Sequence, residues 1–452
     1  MNRQVPQVSR QAATAVDWLV VGGGIHGVHL AARLVGDAEV EPERLRILDP
    51  GQRLLESWLA CTAVTGMSHL RSSGVHHLDL EPFSLVRFAG PRRHRRRGLL
   101  KKPFDRPSLC LFNEHCDQVI ERFGLGALQV QDRAERLDPG EDGVTVTTGG
   151  GEVFEAGRII LAIGAGGRPS WPEWAPRREP RVRHIFSPST PWPPEGADKV
   201  LVVGGGITGA QVALRLVDEG RSVDLVSRHP PRVHLFDSDP GWLGPKRMHE
   251  FRRLENPDDR RQLLRRERHR GSVTPEVHRA VRASVASGRL RVHENGISDL
   301  QLRTFGVELK LDGGQVLEGA HLLLATGFDP RRPGGPMLDR LCGTIDFPCA
   351  ACGYPVVDSY LRWHPRIHVT GPLAELELGP VARNIAGARR AGDRLIAALR
   401  RSRSSDRRSK VSESLPRLGP PGASDPQRGL QSPKRDDNTS AAAAGPGGAY
   451  FP

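Results

Sequence analysis

Two short glycine patterns hold most of the chemistry that can be read from this chain. Leu19-Val20-Val21-Gly22-Gly23-Gly24-Ile25-His26-Gly27 recurs as Leu201-Val202-Val203-Gly204-Gly205-Gly206-Ile207-Thr208-Gly209. In such a pattern the first glycine permits a tight turn, and the second lets backbone amides approach a pyrophosphate. The third lets a helix pack closely on the strand. Gly22, Gly24 and Gly27 fill these places in the first copy, and Gly204, Gly206 and Gly209 in the second. The helix N-terminus then offers unpaired N–H groups and a positive dipole end to the phosphates. One such pattern is a weak signal. Two, each leading from an apolar strand into a helix (residues 28–34 and 210–216), predict a chain that binds two dinucleotides and passes electrons between them.

The elements that must position these glycines follow one plan twice. After the first helix, Leu45-Arg46-Ile47-Leu48 reads as a strand ending at Asp49, 22 positions beyond Gly27. A carboxylate there accepts hydrogen bonds from an adenosine ribose. Residues 158–165 form a buried-strand run with a small-residue turn, and residues 321–328 repeat it, with Ala325-Thr326-Gly327 at the turn. Strand–turn signals at 143–150 and 307–314 predict a small hairpin before each run. This repetition points to a duplicated architecture. Residues 366–371 read as a final parallel strand, and Gly379-Pro380 is expected to open the last helix. From Arg401 to Pro452 large apolar side chains are almost lacking, so that segment is expected to stay unfolded.

The bulk properties restrict the alternatives. At 452 residues, with 38% hydrophobic and 26% charged residues, the chain has the composition of a globular enzyme of two or three domains. No apolar run approaches the roughly 20 residues that cross a bilayer, and residues 1–6 lack a secretory signal's apolar core. No membrane association and a cytoplasmic location are therefore expected. Six scattered cysteines make no disulfide framework. The net charge of +13 is concentrated in residues 92–97, in residues 252–270 and in the tail after Arg400. Aromatic residues are only 5%, and no basic run is interleaved with stacking platforms, so nucleic acid is not the expected partner. The runs are read as solvated faces or loops; their functional reading is attraction of an anionic cofactor such as NADPH. His76-His77 lies on an expected loop, with no third ligand at metal-binding spacing.

With these motifs in their order, residues 17–400 resemble the class B flavoprotein monooxygenases, closest to the branch of lysine and ornithine N-hydroxylases. The resemblance implies an α/β fold of two Rossmann-like dinucleotide-binding domains. Residues 16–196 and 331–400 would form an FAD-binding domain, and residues 197–330 an NAD(P)H-binding domain inserted into it. Residues 1–15 would be a flexible N-terminus and residues 401–452 a disordered tail. Gly22, Gly24, Gly27 and Asp49 match the FAD fingerprint, and Gly204, Gly206 and Gly209 match the NADPH fingerprint. Gly327 and Gly379 would also face cofactor, with the helix start at residues 379–384 aimed at the flavin ring. The second strand of the inserted unit ends in Ser227-Arg228 where an acid would select NADH. A hydroxyl and a guanidinium suit a 2′-phosphate, which favours NADPH. The resemblance further implies oxygen transfer from a flavin C4a-hydroperoxide to a small amine or amino acid, with molecular oxygen as co-substrate.

Departures leave other readings open. Thr370-Gly371-Pro372 stands where many flavoproteins place a ribityl-binding aspartate, and Arg183-His184-Ile185-Phe186-Ser187 matches the family's His-Ser linker only in part. Residues 67–72 fall where the family lines the flavin ring. Cys349-Ala350-Ala351-Cys352 has the spacing of a redox pair, as in thioredoxin reductases, yet follows the inserted domain. No catalytic acid, base or nucleophile is compelled. An NAD(P)H-dependent flavin reductase without oxygen transfer shares the firm motifs, and a non-catalytic redox sensor or scaffold acting through the tail is a second alternative.

Overall fold

A computed structural model describes residues 13–90, 98–187, 192, 198–344 and 346–414. The first twelve residues, the basic run 92–97 and the tail beyond Ser414 lie outside the described residues.

The first glycine pattern lies in a sheet built from both ends of the chain. Strand β1 (Thr14–Val21) leads through the glycines into helix α1 (Ile25–Gly36) and then β2 (Leu45–Asp49). β3 (Gln129–Gln131) pairs with β2, β4 (Val153–Leu161) pairs with β1, and all these pairings are parallel. Leu19, Val20, Ile47, Leu48, Ile159, Ile160 and Leu161 are all buried, the unbroken apolar character of strands covered on both faces. Residues 134–139 and 144–148 form the expected hairpin beside β4.

The second pattern repeats the plan. β5 (Val182–His184) precedes β6 (Lys199–Val203), which runs into α2 (Ile207–Asp218) and β7 (Ser222–Ser227). Helix α3 (Pro257–Glu267), β8 (Leu290–Glu294) and β9 (His321–Leu324) follow. The parallel order is β8-β7-β6-β9-β5. The chain then returns to the first sheet, where β10 (Ile367–Val369) lies parallel to β4, and ends in α4 (Ile385–Ser414). The fold is α/β, with two Rossmann-like parallel sheets.

Four boundaries differ from the sequence reading. β1 begins at Thr14, which already pairs with Phe154, so residues 14 and 15, expected in a flexible N-terminus, belong to the strand. β5, placed by sequence in the first domain, pairs with β9 in the second sheet. The last helix starts at Ile385: residues Pro380–Arg383 form a separate 3-10 turn, and Asn384 breaks the run with an extended backbone. α4 also continues through Ser414, past the point where the sequence predicts no fold.

The two sheets are joined by specific ties. Arg106, 1% exposed, donates to Glu276 at 2.8 Å. Arg71 donates to the carbonyls of His234 and Leu235 and to Ser272 Oγ at 2.9–3.1 Å. Arg215 of α2 donates to the carbonyls of Ala63 and Val64 at 3.0 Å. Arg71, in the segment expected to line the flavin, thus fastens that segment to the stretch of chain between β7 and β8.

Candidate dinucleotide sites and the cleft between them

Each glycine in the first pattern has a distinct physical duty. Gly22 turns with φ +112°, and a Cβ there would lie 2.7 Å from the carbonyl oxygen of Ala162, at the end of β4. A Cβ on Gly27 would lie 1.8 Å from Gly22 O, so α1 packs on β1 only because that side chain is missing. Gly24 is different: nothing lies within 4 Å of its Cβ position. It is the N-cap of α1 and supplies no side-chain cap, which leaves the first N–H groups of the helix to an external acceptor. That is the cradle a pyrophosphate requires.

Asp49 stands beside this cradle. Its carboxylate accepts from Gly23 N at 2.6 Å and from Gly51 N at 2.8 Å. Each oxygen keeps a further lone pair, so ribose hydroxyls can still donate to it. The acid thus shapes the turn as well as marking the ribose position.

The second cradle is built alike. Gly204 turns with φ +135°, a Cβ there would meet Ala325 O at 2.4 Å, and one on Gly209 would meet Gly204 O at 1.8 Å. Gly206 caps α2 without a side-chain bond, and Gly271 approaches its Cβ position to 3.3 Å. Ser227 takes the place of Asp49. Its Oγ would lie 1.9 Å from a Cβ on Gly205 and donates to His229 O at 2.6 Å, while Arg228 is exposed. No carboxylate ends this strand; a hydroxyl and an exposed guanidinium stand in its place. The residues present fit a flavin dinucleotide in the first cradle and a 2′-phosphorylated nicotinamide dinucleotide in the second.

The remaining candidates are placed less uniformly. Gly327 turns with φ +80° just after β9, and its carbonyl accepts from Ser170 N at 2.9 Å. His184 is buried between Trp171 and Phe186 and interacts with the Gly327 backbone; burial pushes it down to about 4. Gly379 turns with φ +79°, yet a Cβ there would meet the Met248 sulfur at 3.0 Å. It is packed beneath Met248 and Trp242 and opens only the short 3-10 turn Pro380–Arg383, not the last helix that the sequence reading expects there. Cys349 and Cys352 are free thiols, and burial and the nearby Cys342 push Cys349 up to about 11. His77 is buried, bonded to Pro82 O at 3.0 Å, and no group of metal-ligating side chains forms among the described residues.

Two features escaped the sequence reading. His26, at a variable place in the first pattern, has Nδ1 2.8 Å from Thr370 Oγ1, and burial pushes it down to about 4. The neutral imidazole and threonine hydroxyl stand where an aspartate was missing. The second feature is the fate of residues 252–270. Expected as a solvated face, this segment turns Arg261 and Arg268 inward against the first sheet's return segment, where Arg260 also donates to Leu376 O at 3.1 Å. The density of arginine was visible, but not which of them turn inward.

Comparison with known proteins agrees with this geometry. Residues 19–166 match an FAD-NAD(P)-binding family, and residues 106–268 match a pyridine nucleotide-disulphide oxidoreductase family. The ferredoxin–NADP reductase of Thermus thermophilus is 32% identical over 136 residues, or 28% of this chain. The match spans 41% of that reductase. Solved structures align over far more of the chain. Kutzneria sp. 744 ornithine N-hydroxylase matches with TM-score 0.68 and 17% identity, covering 86% of this chain and 100% of its own. Ornithine hydroxylase from Pseudomonas aeruginosa gives TM-score 0.67 and 18% identity, over 85% and 99%. The cadaverine monooxygenase of Erwinia amylovora gives 0.65 and 16%, over 85% and 94%. With two parallel sheets, two glycine cradles and these likenesses, the chain has the two-dinucleotide-domain fold of FAD- and NAD(P)-binding oxidoreductases.

Proposed function

We propose that this protein is an FAD- and NADPH-dependent oxidoreductase, and specifically a monooxygenase that transfers one oxygen atom to an amine-like nucleophile. The observation that carries the reading is the pair of cradles, each at the C-terminal end of its own parallel sheet, held together by ties such as Arg106–Glu276. When bound, the flavin supplies hydride acceptance and oxygen activation, chemistry that no side chain here provides. The protein's own part is positional. The open N-termini of α1 and α2 hold the two pyrophosphates, and Asp49 accepts from the flavin nucleotide's ribose. His26 and Thr370 replace a carboxylate at the end of β10, keeping that spot uncharged. The cluster of Trp242, Met248, Phe251, Tyr354, Leu376 and Val381 is packed away from water, with Trp242 and Met248 against Gly379.

Arg228 sets the choice between the two nicotinamide dinucleotides. In Arg228→Ala the KM for NADPH is expected to rise about tenfold to a hundredfold, the loss of one charge-assisted bond of roughly 1.5–3 kcal/mol. The KM for NADH should stay within about twofold. Equal changes with both cofactors would place the 2′-phosphate elsewhere.

Oxygen transfer is tested by stopped-flow absorbance on flavin-loaded protein, reduced anaerobically with NADPH and then mixed with oxygen. A long-lived spectrum distinct from reduced and oxidised flavin supports the monooxygenase. Immediate return of oxidised flavin leaves a reductase, the activity named for the Thermus thermophilus relative. No bleaching by NADPH removes both.

A further inference from the structure

Where the return segment of the first sheet meets α3 and the loop after it, four guanidiniums gather around two carboxylates. Arg261, 5% exposed, pairs with Glu375 and lies over the Tyr354 ring at 3.9 Å. Arg383 donates through Nε and Nη2 to the same Glu375, at 2.7 and 3.2 Å, and through Nη2 to Tyr354 Oη at 3.0 Å. Arg268 reaches Asp237 at 3.3 Å, and Asp237 in turn accepts from the Asn384 side chain at 3.0 Å, just ahead of α4. Arg270 lies exposed at the rim, beside Gly271 and hence the second cradle.

This cluster is under-compensated. Glu375 is shared by two arginines, and Asp237 divides its carboxylate between Arg268 and Asn384. The Nε of Arg261 and the Nη1 of Arg268 are buried without a partner. Burial, with Arg383, Arg270 and Arg261 acting in the same direction, holds Arg268 down to about 10 despite Asp237. Buried N–H donors in proteins are almost always satisfied, and unpaired ones beside excess like charge are costly. An oxyanion that reached an orphaned donor would satisfy it and offset the excess charge.

We propose that Arg261, Arg268, Arg270 and Arg383 form an oxyanion subsite of the cleft, which takes a carboxylate or phosphate group of a bound ligand. The proposal rests on the two-cradle reading only for the identity of the cleft, and needs no oxygen transfer. The forked guanidiniums suit the planar or tetrahedral oxygens of such a group, whereas a ligand with only positive charge is repelled.

The test is calorimetric titration of flavin-loaded full-length protein with inorganic pyrophosphate and with glutarate, each with and without NADP+. Saturable binding of at least one probe is expected, weakened at least tenfold in Arg268→Gln and unchanged in the exposed Arg253→Gln. Displacement of the probe by NADP+ assigns the subsite to a cofactor phosphate; simultaneous binding assigns it to the carboxylate of a separate ligand. Should Arg268→Gln lose its flavin or thermal transition, Arg270→Gln at the exposed rim gives the same reading, with threefold to tenfold weaker binding expected. Wild-type protein that binds neither probe, or a variant with undiminished affinity, overturns the proposal. Because the readout is binding, a failed oxygen-transfer assay leaves it standing.

Discussion

A Gly27→Ala chain is expected to emerge without flavin and with a much lower thermal midpoint, whereas Gly24→Ala should keep its fold and lose only its grip on the dinucleotide. In the first variant the new methyl carbon would lie 1.8 Å from Gly22 O. Relief requires α1 to move away from β1 by more than about 1 Å, and β1 lies inside a sheet paired on both sides. Overpacking of this kind costs typically 1–3 kcal/mol and more where backbone must shift. The displaced helix also carries the N–H groups aimed at the phosphates. At Gly24 the backbone is extended with φ −78°, open to alanine, and the methyl enters empty space. That space is where phosphate oxygens must approach. Losing one or two charge-assisted bonds, roughly 1.5–3 kcal/mol each, weakens FAD binding by a factor of ten or more. Flavin content and the thermal midpoint of the flavin-stripped protein separate the effects. A Gly24→Ala protein with a lowered apo midpoint, or a Gly27→Ala protein that binds FAD normally, would contradict the assigned duties.

The same contrast explains what could be read from the sequence. The glycines were legible because backbone atoms forbid any side chain at Gly22, Gly27, Gly204 and Gly209, so the constraint is local and leaves a local pattern. The duplicated strand ends were legible for a related reason: Ala162 O and Ala325 O close over Gly22 and Gly204 in the same way. Asp49 and Ser227 were legible from their place at the ends of β2 and β7. What could not be read depends on partners distant in sequence. His26 meets Thr370 across 344 positions, and Arg106 meets Glu276 across 170. Arginines of residues 252–270 looked like a solvated face because their composition is that of one. Only the return of the chain after β10 brings Glu375 and Tyr354 to Arg261. β5 was misplaced because three residues carry too little pattern to reveal which sheet they join.

Acid should destabilise this protein in a window well above the usual carboxylate range. His77, His115, His184 and His368 are buried. Burial pushes His77 down to about 3 and the other three to about 4. The imidazoles are therefore neutral in the fold, while in the unfolded chain they take up protons from about pH 6.5 downward. The stability they supply is fully present above that pH and is lost as pH falls towards 4, because only the unfolded chain gains protons. Each group lowered to about 4 contributes on the order of 3 kcal/mol at neutral pH, and the four together on the order of 10, comparable to the whole stability of a domain. Asp224 acts in a separate, lower window. Arg291, His293 and Lys199 hold it down to about 2 against the opposing effect of burial. Its contribution is lost only below the ordinary carboxylate value near 3.9. Urea midpoints of flavin-free protein should thus be level from pH 8 to 7, then fall steeply from pH 6.5 to 5. In His115→Gln, whose amide can still meet Ser84, the slope of the unfolding free energy against pH should lessen by about 1.4 kcal/mol per pH unit. A midpoint unchanged between pH 7 and 5 would mean that these histidines gain protons without unfolding, and that their burial is less complete than their packing shows.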